Sequence, residues 1–213
     1  MKRVKRLIPM VANGKTTNKP KKVKGIDPNF DYKKYWEQRY ASGRNSGRGS
    51  YGKNSEFKAA QVNRVISEYN CASMIDYGCG DGNQLSMFTP ITYVGVDVSK
   101  TVIEQCNKKF ANDEDKSFYH YEPFKSTMAE GQFDLSICLD ALFHICQEKD
   151  WKRTIDDICK SAKKAVLLVT NSYEVPEEYF PHVNYKRRIL PLLDKRDDVI
   201  IQEVVNQPTD KET

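Results

Sequence analysis

The residues best suited to chemistry lie in the stretch Asp76–Gly82, which reads Asp-Tyr-Gly-Cys-Gly-Asp-Gly. Glycine at every second position (Gly78, Gly80 and Gly82) allows a tight turn and lets a ligand approach the bare backbone. Fifteen residues further on, the apolar run 92–96 ends on Asp97. In a nucleotide-binding α/β unit, an acid at the end of the second strand accepts hydrogen bonds from ribose hydroxyls. The two acids and the glycine turn therefore predict a nucleoside-binding site.

The pattern acid-x-Gly-x-Gly-x-Gly resembles the first motif of class I S-adenosylmethionine (SAM) dependent methyltransferases, and Asp97 resembles the acid of their second motif. A dinucleotide-binding loop, the nearest alternative, spaces its glycines G-x-G-x-x-G. Position 83 here is Asn, and the acid two residues before the first glycine would repel a pyrophosphate. The resemblance implies an α/β, Rossmann-like fold with a mostly parallel sheet and helices on both faces. The family's sheet usually ends in a C-terminal β-hairpin, but this sequence predicts only one strand of it, so an incomplete hairpin is expected. The resemblance implies SAM as the cofactor.

The resemblance also implies roles for individual residues. Asp76 would order the glycine loop, Asp97 would bind the ribose, and Val98 would lie beside the adenine. Glu122 would lie near the adenine amino group, although a solvated loop acid is an equal alternative. The segment Tyr-Trp-x-x-Arg-Tyr at 35–40 resembles one that folds over the cofactor in many class I methyltransferases. The implied cofactor-binding residues are Trp36, Arg39, Asp76, Gly78, Cys79, Gly80, Gly82, Asp97, Val98, Glu122, Leu139 and Asp140.

The fourth predicted strand continues into Asp140-Ala-Leu-Phe-His144, which resembles the Asp-x-x-x-His segment of small methyltransferases found in glycan-modifying contexts. An alcohol that attacks a methyl group must lose its proton, which favours a positioned base. His144 is the candidate base, and Asp140 would orient the acceptor or act with it. The alternative is a structural histidine that closes a helical turn. Two candidate ligands are too few to predict a metal site.

A second group of basic residues lies near the C-terminus. His182 and the run 186–188 (Lys-Arg-Arg) could line a pocket for an anionic acceptor such as a phosphate-bearing sugar. A solvated basic loop is the alternative.

The composition is that of a globular protein with one sizeable domain. The chain has 213 residues, of which 39% are hydrophobic and 30% charged. No apolar run approaches the ~18 residues of a membrane span. The six cysteines form no C-x-x-C pair, which argues against a zinc ribbon or a thioredoxin-like site. A reduced, cytoplasmic protein is the expectation.

The net charge of +5 is concentrated at the N-terminus. Residues 1–28 contain nine basic side chains and one acid, which leaves 25 basic and 28 acidic residues for the rest. Low apolar content and interspersed Gly and Pro predict a disordered basic arm over residues 1–28. An alternative role for this arm is a polybasic clamp on nucleic acid.

The remaining chain is predicted to form one methyltransferase domain over 29–213. Residues 29–55 would form an N-terminal helix and a lid loop, 56–170 the core, and 171–213 the substrate-side part. Strands alternating with helices favour a parallel sheet. The predicted strands are 73–77, 92–97, 117–121, 133–139, 165–170 and 198–206, and the predicted helices are 30–40, 56–69, 82–88, one capped by Ser99, 151–162 and 189–193.

These features together predict an enzyme that transfers a methyl group from SAM to a hydroxyl of a sugar or another small molecule. One alternative is an RNA methyltransferase that uses the basic arm for phosphate contacts. The slightly acidic body and the lack of an Asn-Pro-Pro-Tyr-type motif after the fourth strand argue against it. A second alternative is a catalytically silent SAM-binding partner protein.

Overall fold

The computed structural model describes residues 30–126, 130–170, 187 and 189–205 in full, and the backbone of 6–13 and 206–207. Within these ranges a seven-stranded sheet has the order β4-β3-β2-β5-β6-β1-β7, and neighbouring strands are parallel in every pair. The strands are β1 Arg6–Asn13, β2 Ser73–Tyr77, β3 Thr92–Asp97, β4 Lys116–His120, β5 Phe133–Leu139, β6 Ala162–Thr170 and β7 Val199–Gln207. The mostly parallel α/β fold that the sequence predicts is confirmed.

Helices cover both faces of the sheet, as parallel strands require. The α-helices are α1 Tyr32–Ala41, α2 Gly52–Glu68, α3 Lys100–Lys109, α4 Glu148–Ser161 and α5 Leu190–Leu193. Val62 and Val65 of α2 and Val102 of α3 are fully buried on one face, and Ile155 and Ile158 of α4 are buried on the other. The Ser99 side chain caps α3 by accepting a hydrogen bond from Val102 N at 3.2 Å, as its position before an apolar stripe predicts.

The α-helix predicted over 82–88 is wrong in type, because the chain forms a 3-10 turn there, Gln84–Met87. Gly82 precedes the turn with a φ of +65°, which is not helical. Pro90 follows closely and disfavours helical backbone in the residue before it. Too few residues lie between the two to complete an α-helix.

The prediction of a disordered arm over residues 1–28 is wrong for 6–13, which form β1 between β6 and β7. The run 7–12 is apolar but short and interrupted by Pro9, so it carries little local strand signal. Its partners lie more than 150 residues later, and such pairing leaves no local mark in the sequence. Pro9 lies at a register shift in the β1–β7 pairing, where a residue without an N–H group is tolerated. The rest of the predicted arm lies outside the described residues.

The C-terminal part contributes a single strand to the described sheet, in line with the incomplete hairpin that the sequence predicts. That strand, β7, pairs in parallel with β1 rather than with β6. The place beside β6 is taken by the N-terminal β1. Both ends of the chain therefore close the same side of the sheet.

Candidate active site

A cavity of about 460 Å³ opens at the edge of the sheet where β2, β3 and β5 end. Helix α1 covers it together with the lid, which we define as residues 42–51 between α1 and α2. Ligands of open α/β sheets bind at this carboxyl edge, and the volume is typical of a small-molecule site. Its lining residues are Tyr32, Tyr35, Trp36, Arg39, Tyr40, Ser46, Gly47, Arg48, Gly49, Ser50, Tyr77, Gly78, Gly80, Asp97, Val98, Tyr121, Cys138, Leu139, Asp140, Ala141, Phe143, His144, Ile145 and Thr154.

The glycine loop after β2 leaves bare backbone on the cavity wall. Gly78 and Gly80 have φ angles of +83° and +55°, which side-chain-bearing residues rarely adopt. A Cβ on Gly78 would lie 2.5 Å from Ala141 Cβ, and one on Gly80 would collide with Ser46 Oγ. Glycine is therefore needed at both positions, for conformation and for space.

Asp97 lies at the end of β3 and holds this loop in place. Its Oδ2 accepts a hydrogen bond from Gly80 N at 3.1 Å, and its Oδ1 accepts one from Ser99 N at 2.9 Å. Burial raises the pKa of Asp97 to about 6, although the backbone donors act in the opposite direction. Each carboxylate oxygen has a second lone pair. Asp97 can therefore order the loop and still accept hydrogen bonds from a diol in the cavity.

Asp76 lies on β2, beneath the glycine loop and outside the cavity lining. Its Oδ2 accepts a hydrogen bond from Tyr93 OH at 3.0 Å, whereas its buried Oδ1 has no hydrogen-bond partner in the described structure. Burial raises the pKa of Asp76 to about 7. This acid can support the loop from below, without direct contact with a ligand in the cavity.

The lid is fastened to the glycine loop by one carboxylate. Asp81 Oδ2 accepts hydrogen bonds from Ser46 N and from Tyr51 OH, both at 2.8 Å. In return, Asp81 N donates to Ser46 Oγ at 3.0 Å. Burial and the Asp81 contact raise the pKa of Tyr51 to about 12, so its hydroxyl remains a donor. The sequence predicted a lid without apolar anchors, and the structure shows that its anchors are polar.

Aromatic side chains of α1 form the roof. The Trp36 ring lies edge-on to His144, with 4.9 Å between the ring centroids, and stacks on Tyr40. The Arg39 guanidinium lies 5.7 Å from the Trp36 ring, and its Nε donates to Asn45 O at 2.7 Å. Trp36 and Arg39 therefore lie above the cavity and against the lid.

Helix α1 is held to the first turn of α3 by Glu37. Its carboxylate accepts hydrogen bonds from Ser99 Oγ and Thr101 Oγ1, both at 2.6 Å. Ser99 also bonds Asp97 through its backbone. The roof and the Asp97 end of the cavity therefore share one hydrogen-bond network.

The wall opposite the glycine loop follows β5. Asp140 has a φ of +60°, an uncommon conformation for a residue other than glycine, and its N–H donates to Val169 O at 2.9 Å. Lys58 of α2 lies 2.7 Å from Asp140 Oδ2, and its side chain is fully buried. His144 ends the one-turn helix Leu142–His144, and its ring lines the cavity. His144 thus lies both in a helical turn and in the cavity lining. Its position is compatible with both interpretations from the sequence, a catalytic base and a structural histidine that closes a turn.

The structure brings nine of the predicted site residues together around the cavity: Trp36, Arg39, Gly78, Gly80, Asp97, Val98, Leu139, Asp140 and His144. Four others are placed elsewhere. Asp76 lies beneath the loop, and Cys79 faces α3, where a hydrogen bond with Cys106 raises the pKa of the Cys79 thiol. Gly82 lies against the Phe110 ring, and the Glu122 carboxylate pairs with Lys125 at 2.7 Å.

Sequence reasoning missed several residues of the site. Lys58 is the clearest, because a lysine within an amphipathic helix carries no signal of burial. Lys58 contacts the cavity residue Asp140 from behind, whereas Tyr77, Tyr121 and Thr154 line the cavity themselves. Tyr121 OH donates to Asp157 Oδ2 at 2.8 Å on the α4 side. Their strand and helix positions were visible in the sequence, but the direction in which they face was not.

The predicted anionic-acceptor pocket at 182–188 falls largely outside the described residues. Arg187 is described, and its guanidinium donates to the carbonyl oxygens of Ile145 and Cys146 and lies 5.3 Å from the Trp151 ring. These contacts tie the C-terminal part to the segment after His144. Arg187 serves this packing role and is not among the described cavity residues.

Two further observations bear on other kinds of site. No group of three or more His, Cys, Asp and Glu side chains in the described part of the chain could hold a metal ion. Among the helices of that part, none is both long and apolar enough to cross a membrane.

Comparison with solved structures shows the fold. The N-methyltransferase NodS from Bradyrhizobium japonicum WM9, in complex with S-adenosylhomocysteine (SAH), is 17% identical with a TM-score of 0.53, over 62% of this chain and 69% of that one. The sugar N-methyltransferase KedS8 from Streptoalloteichus sp. is 18% identical with a TM-score of 0.50, over 78% and 63%. The [4+2]-cyclase SpnF is 15% identical with a TM-score of 0.55, over 76% and 66%. The chain spans a smaller share of other similar structures, 53% of one and 35% of another.

The strand order of the sheet and the structural similarity to NodS identify the fold as the Rossmann-like class I methyltransferase fold. Within it, residues 74–165 match the family model described as a methyltransferase domain. No curated protein matches the chain. The matched residues include the glycine loop, Asp97 and Asp140, and SAM is the cofactor that the sequence predicts for such a domain.

The residues present fit this cofactor. Gly78 and Gly80 leave a cradle that a Cβ would fill, and Asp97 offers buried acceptor oxygens at the end of β3. The cavity between them is open to a ligand of nucleoside size.

Proposed function

We propose that the protein transfers the methyl group of SAM to a hydroxyl of a small-molecule acceptor, with sugars as the favoured class. The observation that carries this proposal is that Asp140 and His144 line the same cavity as the glycine loop and Asp97. One cavity thus combines a nucleoside-binding wall with a possible base and a carboxylate. An acceptor that enters beside the cofactor would meet both.

The cofactor end of the cavity is prepared for binding. Asp97 would accept hydrogen bonds from the ribose hydroxyls, Val98 would lie beside the adenine, and the backbone of Gly78 and Gly80 would lie under the methionine part. Bound SAM supplies a methyl group on a positively charged sulfonium. Trp36 and the lid would exclude water from the cavity, which strengthens the electrostatic interactions inside it.

The acceptor end needs a group that takes a proton from an alcohol. His144 would accept that proton at a ring nitrogen, since one of the two nitrogens of a neutral imidazole is a hydrogen-bond acceptor. Asp140 would accept a hydrogen bond from the acceptor or orient it relative to His144. The two residues then position the nucleophile, which is the main task of the protein in an in-line displacement.

Three features support a small, hydroxylated acceptor. The enclosed volume suits a small molecule rather than a polymer. Tyr35, Trp36 and Phe143 line the cavity with aromatic side chains, against which the apolar face of a sugar ring can pack. KedS8, a sugar N-methyltransferase, shares the fold, which supports a sugar acceptor but not the hydroxyl as the methylated group. An RNA substrate has less support, because part of the proposed binding arm, residues 6–13, lies within the sheet.

We also infer a cytoplasmic location. Cys71, Cys106 and Cys138 are buried and form no disulfide in the described part of the chain. Buried, unpaired thiols are typical of proteins in a reducing compartment.

The proposal is tested by methyl transfer from radiolabelled SAM to a panel of neutral sugars, amino sugars, phosphorylated sugars and RNA. A His144→Gln variant should lower kcat by about 10²–10⁴-fold, as expected for loss of a general base. Its affinity for SAM should remain near that of the wild type. His120→Gln is the matched control, because His120 is not among the cavity residues and glutamine can keep its hydrogen bond to Val98 O.

Transfer to a hydroxylated sugar, with the loss confined to His144→Gln, would support the proposal. Transfer only to amino sugars or only to RNA would contradict the hydroxyl acceptor. Binding of SAM without transfer to any member of the panel would favour a catalytically silent protein.

A further inference from the structure

Lys58 is the most deeply buried charged residue in the described structure, with a side-chain exposure of 0%. It lies on α2, whose other inward-facing residues include Ala59, Val62 and Val65. Its ammonium is 2.7 Å from Asp140 Oδ2, within both hydrogen-bond and ion-pair distance. The partner carboxylate belongs to the cavity wall.

The lid closes directly over this ion pair. A Cβ built on Gly49 would lie 2.9 Å from Asp140 Oδ2 and 3.8 Å from Lys58 Nζ. Glycine at 49 therefore lets the lid backbone approach the carboxylate more closely than a larger residue could. Lys58, Asp140 and Gly49 form one contact that joins α2, the end of β5 and the lid.

Stability alone is a weak reason to keep such a pair. Removing an ammonium and a carboxylate from water costs about as much as their attraction returns, and well-packed apolar residues are often as stable. Asp140 is in addition held at a φ of +60°, which carries a conformational cost. A costly charge pair and an uncommon backbone conformation at a cavity wall are typical of a functional site.

We propose that Lys58 is a positioning residue for methyl transfer: it fixes the Asp140 carboxylate beneath the lid, where that carboxylate orients the acceptor. This step rests on the proposed function, since Asp140 has its role only if an acceptor binds beside it. Lys58 itself is buried behind Asp140 and acts through it. The salt bridge also provides the surface on which Gly49 closes.

Loss of Lys58 has two consequences that can be measured separately. Without its counter-ion, the Asp140 carboxylate is no longer held against α2, so the acceptor is misaligned. The lid also loses its contact at Gly49 and opens more often. The first effect needs an acceptor to be observed, whereas the second needs only bound cofactor product.

The experiment compares Lys58→Met, Asp140→Asn and the double variant with the full-length wild type. Arg64→Met is the matched control, because it also removes a long cation and its ion pairs from α2 but at an exposed position. Lid opening is measured by hydrogen exchange of peptides that cover residues 42–51, with SAH bound. Turnover is measured with the best acceptor from the panel, as separate kcat and KM values.

In Lys58→Met we expect kcat to fall about 10–100-fold, because misplacement of a catalytic contact lowers the rate by about that factor. Hydrogen exchange in the lid should become faster by about tenfold, because the contact at Gly49 is lost. The affinity for SAH should change little. Arg64→Met should match the wild type in both measurements. If Lys58 acts only through Asp140, the double variant should lose no more kcat than Asp140→Asn alone. The double variant also keeps the test valid if Lys58→Met fails to fold, because it removes both charges of the ion pair.

Wild-type lid exchange and wild-type kcat in Lys58→Met would overturn the proposal. A double variant with a kcat well below that of Asp140→Asn would also overturn it, since Lys58 would then have a separate role. If the wild type transfers no methyl group to any acceptor, the proposed function fails. The lid measurement then still decides whether Lys58 fixes Asp140 beneath Gly49.

Discussion

Replacement of Gly80 by alanine tests whether the lid and the glycine loop form one unit. Gly80 has a φ of +55°, and a Cβ there would collide with Ser46 Oγ. Gly43, at the start of the lid, has a φ of +77°, but a Cβ added there would meet no atom within 4 Å. Gly43→Ala therefore carries only the backbone cost, whereas Gly80→Ala adds displacement of Ser46.

The magnitudes follow from these contacts. A left-handed conformation costs an alanine about 1–2 kcal/mol, and this cost is common to both variants. Displacing Ser46 breaks its hydrogen bonds with Asp81 N and Tyr40 OH, both at 3.0 Å. At about 1 kcal/mol each, these bonds make Gly80→Ala roughly 2 kcal/mol more destabilising than Gly43→Ala.

The assay is urea unfolding of both variants beside the wild type, with the free energy of unfolding extrapolated to water. SAH titration of the same samples adds a second comparison, because the Gly80 N–H donates to Asp97. We expect weaker SAH binding for Gly80→Ala and near wild-type binding for Gly43→Ala. Equal losses of stability in the two variants would refute the inference that Ser46 packs on the glycine loop.

Three further predictions concern the pH response, the lid and the sheet. Ionised Asp97 accepts hydrogen bonds, and burial raises its pKa to about 6. SAM affinity should therefore fall by about tenfold between pH 7 and pH 5, as Asp97 becomes protonated. Calorimetry at both pH values measures this change, and equal affinities would contradict the prediction. Asp81→Asn should lower the free energy of unfolding by about 1–3 kcal/mol, since Asp81 accepts hydrogen bonds from two lid donors. Chemical unfolding measures the loss, and an unchanged midpoint would contradict the inference that Asp81 fastens the lid to the glycine loop. Deletion of residues 1–13 should lower the melting temperature by roughly 10 °C or more, because β7 pairs only with β1 in the described sheet. Deletion of residues 1–4 is the control. If the two deletion variants melt at the same temperature, β1 does not contribute to the stability of the fold.

The parts of the fold that sequence predicts well are those with local signals. Strands β2, β3 and β5 are apolar runs that end on an acid or a glycine turn, so their limits and the position of the cavity follow from the chain itself. The Ser99 cap is equally local, because it joins residues three positions apart.

The parts that sequence does not predict depend on contacts between distant residues. Strand β1 is a short apolar run with a proline, and only pairing with β6 and β7 makes it a strand. Lys58 and Asp140 are 82 positions apart, and neither suggests the other in the sequence. Glu122 is not among the described cavity residues, and its carboxylate pairs with Lys125 three positions later.

The central claim, that this cavity binds SAM through Asp97, is tested most directly by calorimetric titration with SAM and SAH. Wild type should bind both ligands, and Asp97→Ala should bind them about ten- to a hundredfold more weakly, as expected for the loss of charge-assisted hydrogen bonds worth ~1.5–3 kcal/mol. Asp115→Ala is the control, because its side chain is exposed. A well-folded wild type that binds neither ligand, or an Asp97→Ala variant that binds as tightly as the wild type, would contradict the account.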